Sequence, residues 1–248
     1  MSVLAPERPA AFADLDDAPP AVVLAAVERE LGARAAVACS FGVEDVALIA
    51  LCRAHAPSLR FFTLDTGRLP EATYELIDAI RQRFDVVVES FFPDPARVEA
   101  LTTAKGFRSF RNSVEDRQEC CRIRKVEPLR RALVGRSAWV TGLRRAQSVT
   151  RAAVDVVGWD AAHGLWKLNP LASWSTEQTW EFVRAADLPV NRLHAEGYPS
   201  IGCAPCTRPI TIGEDERAGR WWWESPEHKE CGLHRPSSSS SSSSAVRP

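Results

Sequence analysis

Five of the seven cysteines in this 248-residue chain stand where their spacing could do chemistry. Cys120 and Cys121 are adjacent, at the start of a basic stretch, Arg122-Ile123-Arg124-Lys125. Cys203-Ala204-Pro205-Cys206 follows some eighty residues later, and Cys231 lies beside Gly232 near His234. Two close-set thiol pairs suit a tetrahedral zinc or an iron–sulfur cluster, and spacing alone does not choose between them. Neighbouring side chains diverge, so joint ligation by Cys120 and Cys121 calls for a bent local backbone. Cys231 has a different chemistry open to it, because a thiolate near cationic groups is a competent nucleophile. Cys39 and Cys52 fall in apolar stretches and read as core residues.

The elements around these residues alternate. A helix is predicted over residues 21–31, then a buried strand over 35–39 that runs into Ser40-Phe41-Gly42-Val43-Glu44-Asp45, and a helix over 46–55. A second strand over 59–64 ends in Asp65-Thr66-Gly67-Arg68. A helix over 70–84 and a strand over 85–89 come next. Residues 91–110 read as a mixed connection, followed by the double-cysteine stretch and a helix over 125–133. A strand over 138–142 leads into Leu143-Arg144-Arg145, with more arginine and hydroxyl groups up to Arg151. Short strands are expected at 154–157 and 165–168. Ser175 and Gln178 form a capping-box pattern for a helix to about residue 186. This alternation predicts an α/β fold, a parallel twisted sheet with helices on both faces. Ligands in such sheets bind beyond the carboxyl ends of the strands, where the Ser40 and Asp65 turns would meet.

Composition limits what else the chain could be. With 45% hydrophobic and 25% charged residues it can bury a sizeable core. A net charge of −1 gives no general attraction to nucleic acid or membrane. No apolar run approaches the ~20 residues of a membrane span, and no secretory pattern opens the sequence. Thiols in such a chain point to metal binding or catalysis and to the cytoplasm. We expect a loose leader over residues 1–18, a nucleotide- and cluster-binding α/β domain over 19–206, a mobile segment with Cys231 over 207–236, and a disordered serine-rich tail over 237–248. Trp221-Trp222-Trp223 reads as packing against the body, with a docking patch as the lesser reading.

Taken together, Ser40-Phe41-Gly42-Val43-Glu44-Asp45, Leu64-Asp65-Thr66-Gly67-Arg68, Cys120-Cys121-Arg122-Ile123-Arg124-Lys125, Thr141-Gly142-Leu143-Arg144-Arg145, Cys203-Ala204-Pro205-Cys206 and Glu230-Cys231-Gly232-Leu233-His234 resemble the assimilatory sulfonucleotide reductases. The two cysteine pairs resemble the branch that carries a [4Fe–4S] cluster and uses adenylyl sulfate. The resemblance implies an adenine nucleotide α-hydrolase-like, Rossmann-like fold and an oxidoreductase of sulfate assimilation and cysteine biosynthesis. It further implies Cys231 as nucleophile, Cys120, Cys121, Cys203 and Cys206 as cluster ligands, and thioredoxin or a glutaredoxin-like dithiol protein as reductant. Lys125 and His234 would act at the reacting centre, with Arg144, Arg145, Arg217 and Arg220 on the substrate. Ser40, Phe41, Gly42, Glu44, Asp45, Leu64, Asp65, Thr66, Gly67 and Arg68 would complete the substrate site. The 3′-phosphorylated substrate, a dual-specificity enzyme and a nucleotide-binding module with structural zinc are the alternatives, and a homo-oligomer is left open.

Overall fold

The computed structural model describes residues 5–225, 229, 232 and 233. Six strands form one sheet in the order β3-β2-β1-β4-β6-β5. They are β1 (Ala35–Ala38), β2 (Arg60–Leu64), β3 (Val88–Phe91), β4 (Ala138–Val140), β5 (Val157–Asp160) and β6 (Leu165–Leu168). Five run parallel, and the edge strand β5 is antiparallel, with Val157 opposite Leu168. The expectation of a parallel sheet is corrected at that edge, where a short hairpin needs no crossover.

Alternation along the strands explains the layering. Ala35, Val37, Phe61, Ala138 and Val140 turn to one face and join the largest core. That face is covered by α1 (Pro20–Glu30), α2 (Val43–His55), α3 (Glu71–Phe84) and α7 (Thr176–Ala185). Ala36, Phe62 and Trp139 turn the other way, onto Leu129 and Ala132 of α6 (Glu127–Ala132). A third cluster gathers Leu101, Phe110, Ile123 and Trp221 around Cys120, Cys121, Cys203 and Cys206. The chain passes from β1 to β2 and β3, then returns to β4 on the far side of β1. This reversal opens a crevice at the strands' carboxyl ends.

Several sequence expectations shift. α2 starts at Val43, so Glu44 and Asp45 lie in its first turn, where acidic groups suit the helix N-terminus. Asp85 caps α3 in the left-handed region (φ 49°), which delays β3 to Val88. β5 likewise begins at Val157. The mixed connection contains α4 (Pro95–Lys105), capped by the Asp94 side chain. Only Leu101 of α4 is buried, so no apolar stripe announced it. The leader is docked from its middle onwards, with Phe12 and Leu15 buried in the main core. Residues 207–225 are tied to the body as well: Ile210 N donates to Gly197 O (2.9 Å) and Trp221 N to Cys206 O (3.1 Å). Cys120 and Cys121 sit in the last turn of α5 (Val114–Cys121), and the Cys121 backbone is ordinarily helical. The irregularity comes one step later, in the π-helical segment Arg122–Val126. Its wider turn accommodates Pro128, which lacks the N–H that a regular helix would use there.

Candidate active site

A crevice of about 1140 Å³, its open mouth included, lies at the ends of β1, β2 and β4. The turn after β1 supplies Ser40, Gly42, Glu44 and Asp45 to its wall. Asp45 is buried, and its Oδ2 accepts hydrogen bonds from Ser40 N (2.6 Å) and Ser40 Oγ (2.8 Å). Burial raises the Asp45 carboxyl to about 6; the Ser40 bonds pull it down, while the Glu44 charge adds to the rise. Gly142, at the end of β4, closes against this turn. A Cβ there would stand 2.6 Å from Asp45 Oδ1, so only glycine allows the approach. Leu64 and Thr66 enter from the turn after β2, and Lys125, Arg217 and Arg220 bring positive charge from the other side.

Next to it lies a smaller cavity of about 360 Å³, mouth included, lined by Cys120, Cys121, Cys203 and Cys206. Helix α5 presents the first pair. A tight turn, with Cys206 N donating to Cys203 O (2.9 Å), presents the second. Ala204 N donates to Arg68 O (2.8 Å), which fixes this turn to the one after β2. Burial pushes the Cys120 thiol up, with Arg68 and Arg124 opposing it, and burial together with neighbouring Cys203 pushes Cys206 up to about 12. Cys203 differs. Burial would raise it too, but Lys125, the Thr66 hydroxyl at 3.3 Å, Arg220 and Arg68 outweigh that and hold it below the usual thiol range.

The donor set and the walls both fit an anionic, sulfur-rich group. Three buried N–H groups on the cavity's lining residues have no hydrogen-bond partner among the described residues: Arg124 Nε, Arg220 Nε and Trp221 Nε1. Buried donors of this kind are costly unless something accepts from them. No three His, Cys, Asp or Glu side chains are grouped to hold a single metal ion among the described residues. The four thiols instead surround a space. Lys125, Arg220 and Trp221 line both cavities.

The structure thus brings Ser40, Gly42, Glu44, Asp45, Leu64, Thr66, Lys125, Arg217 and Arg220 to one crevice. Other expected substrate residues lie elsewhere. Phe41 is fully buried in the main core with φ 61°. Asp65 accepts from Gly67 N (2.8 Å) and the Tyr74 hydroxyl (3.0 Å), a turn-holding role for the aspartate and glycine alike. Arg68 faces the cysteine cavity and donates to Phe107 O (2.7 Å). Arg144 is 1% exposed and committed to Glu44 through Nε (3.0 Å) and Nη2 (2.7 Å). Arg145 Nε donates to Val154 O (2.8 Å). Gln147 and Arg151 also reach the crevice. Their place in the arginine-rich loop after β4 was the available signal. Cys231 and His234 lie outside the described residues; their neighbour Leu233 lines the crevice.

A sheet with a crevice at its switch point, joined to a thiol-lined cavity, defines an α/β protein of the nucleotide-binding type with a second site for a sulfur-held group. The chain belongs to the phosphoadenosine phosphosulfate reductase domain family, which it matches over residues 34–209. It is 54% identical to an adenosine 5′-phosphosulfate reductase of Allochromatium vinosum, covering 86% of this chain and 83% of that one. It is 50% identical to an adenosine 5′-phosphosulfate reductase of Burkholderia cepacia, with 79% of each chain covered. A probable chloroplastic 5′-adenylylsulfate reductase of rice is 48% identical over 90% of this chain, which spans 48% of that longer protein. Among solved structures, the fold is similar to a phosphoadenylyl-sulfate reductase from Candida auris, with a TM-score of 0.68, 22% identity and coverage of 79% and 93%. The FMN adenylyltransferase of Candida glabrata shares the fold at a TM-score of 0.54 and 14% identity, with 79% and 66% covered. No helix among the described residues is long and apolar enough to cross a membrane.

Proposed function

We propose that this protein is a thioredoxin-dependent oxidoreductase that converts adenylyl sulfate to sulfite and AMP, in the cytoplasm, for sulfate assimilation and cysteine biosynthesis. The observation that carries the reading is the shared wall. A nucleotide-type crevice and a four-cysteine cavity meet at Lys125 and Arg220, so cations adjoin both sites. The names of the most similar relatives support adenylyl sulfate as the substrate.

The Cys231 thiolate attacks the sulfate sulfur. An S–S bond forms as the bond from sulfur to the bridging oxygen breaks, and AMP departs with that electron pair. Lys125, Arg217 and Arg220 offset the charge that gathers between two anions, and His234 is assigned beside them from the sequence. A dithiol protein then attacks the Cys231 sulfur, sulfite leaves with the electron pair of the S–S bond, and the second thiol closes the disulfide and frees Cys231. The two electrons that reduce the sulfur come from that dithiol.

Cys120, Cys121, Cys203 and Cys206 would hold a [4Fe–4S] cluster. Such a cluster supplies a fixed charge distribution next to the reacting sulfate, without taking electrons from the cycle. Lys125 lines both cavities, and the Thr66 hydroxyl lies 3.3 Å from Cys203 Sγ. Protein purified without oxygen should carry iron and sulfide in equal amounts and absorb broadly in the visible. Zinc with a colourless spectrum would sink the cluster. Sulfite release is to be assayed side by side with adenylyl sulfate and its 3′-phosphorylated form. A preference for the latter would transfer the reading to the phosphoadenylyl-sulfate branch.

A further inference from the structure

Behind the shared wall, one buried ion pair joins the two cysteine-bearing parts of the chain. Arg117, on α5, is fully buried, and the Glu224 side chain is 4% exposed. Arg117 Nε lies 2.8 Å from Glu224 Oε1 and 3.1 Å from Oε2, and Nη2 lies 2.8 Å from Oε2. This is a fork that fixes orientation as well as distance. Arg117 stands three and four residues before Cys120 and Cys121, on the same side of the helix. Glu224 ends the turn that contains Arg220 and Trp221, since Glu224 N donates to Trp221 O (2.9 Å).

Trp221 connects the pair to the substrate crevice. The guanidinium carbons of Arg117 and Arg220 each lie 4.9 Å from the centroid of its indole. Its backbone holds φ 40°, a conformation that a bulky residue keeps only when its surroundings impose it. Trp221 N is fixed to Cys206 O (3.1 Å), and Arg220 Nη1 to Ser200 Oγ and Ile201 O (both 3.2 Å). Gly202 leaves the space that this guanidinium fills, because a Cβ there would fall on it. A buried ion pair adds little net stability, and its use is in specifying one arrangement. Here Glu224 also neutralises Arg117, so of the two guanidiniums stacked on Trp221 the one left to act on the substrate is Arg220.

We propose that Arg117 and Glu224 are positioning residues which, through the Trp221 stack, hold Arg220 where it recognises the sulfated end of the nucleotide. The inference rests on the adenylyl sulfate reading above. It assigns to a pair outside the crevice a part in discriminating sulfated nucleotide from bare nucleoside.

The test is calorimetric binding of adenylyl sulfate and of adenosine to the cluster-loaded full chain in a Cys231→Ser background, where no turnover occurs. The background protein should bind adenylyl sulfate more tightly than adenosine. Adding Glu224→Gln should weaken adenylyl sulfate by about tenfold to a hundredfold, the scale of a charge-assisted hydrogen bond, and leave adenosine unchanged. Arg117→Lys, which keeps the charge and loses the fork, should shift the same ratio less. Visible spectra and melting curves identify variants that have lost the cluster or the fold. If a folded, cluster-bearing variant keeps the parental ratio, the positioning role is overturned. It is equally overturned if both affinities fall together or if neither variant folds, either of which makes the pair purely structural. Absence of any preference in the background protein would instead refute the substrate reading, so the two failures are distinguishable.

Discussion

Asp45 binds the turn after β1 together through a carboxylate that burial disfavours. Its raised value gives a sign to test. Below about pH 4 it is protonated in both folded and unfolded chains. Between about 4 and 6 the unfolded chain gives up the proton and the folded one keeps it, so this group lowers stability as pH rises, by on the order of 3 kcal/mol once past 6. Asp45→Asn keeps an acceptor for Ser40 and removes the titration. Its melting temperature relative to the parent should therefore climb between pH 4 and 7; a constant difference would contradict the assignment. Lys125 makes the opposite kind of contribution, a charge facing both cavities. Lys125→Gln should slow sulfo-adduct formation by roughly 10²–10³-fold in single-turnover measurements while iron content stays at the parental level.

At this scale the sequence was informative about residue types and poor about assignments. Ser40, Thr66 and Lys125 are polar groups that follow apolar runs or a cysteine pair, and they do reach the crevices. Arg144 was read as a substrate group because its type and position fit one. Its partner Glu44 is 100 residues away in the chain, and nothing local announces that Glu44 claims it. Arg151, seven residues further on, takes a place on the crevice wall that Arg144 was expected to hold.

At the scale of elements, short turns hold the site together. The Cys203 turn, the Arg217–Glu224 turn and α5 meet at Trp221, and Gly202 is the joint that has no room for a side chain. Gly202→Ala should destabilise the protein by about 1–3 kcal/mol in denaturant titrations, as overpacking does. It should also displace Arg220, so that affinity for adenylyl sulfate falls more than affinity for adenosine. An unchanged affinity ratio would mean that Arg220 finds its place without that space. The capping box at Ser175 and Gln178 was legible because it is a local hydrogen-bond pattern, and both bonds are present. The π-helical segment was not, since it answers to Pro128 and to a cavity built from remote residues. α4 was missed for a related reason. With one buried residue its helical period leaves no mark in the sequence, although Asp94-Pro95 had the chemistry of a helix start.

The whole molecule is a sheet whose two faces do different work. One face carries the large core, which the start of the chain helps to close: Phe12 meets Trp166 edge to face, with ring centroids 6.4 Å apart. Phe12→Ala should cost about 3–5 kcal/mol and lower the denaturation midpoint, while nucleotide affinity at low temperature is retained. The other face supports α6 and, beyond it, the cysteine cavity, so that cavity and the crevice meet at one end of the sheet. The central claim is that Cys231 takes the sulfite group from adenylyl sulfate at this junction. Intact-mass and peptide mapping of protein incubated with adenylyl sulfate, without reductant, tests it most directly. The account predicts one added SO₃ group per chain on the peptide that contains Cys231. Reduced thioredoxin should discharge it as sulfite, and Cys231→Ser should carry none. An adduct that persists on Cys231→Ser, or that maps to another cysteine, would contradict it.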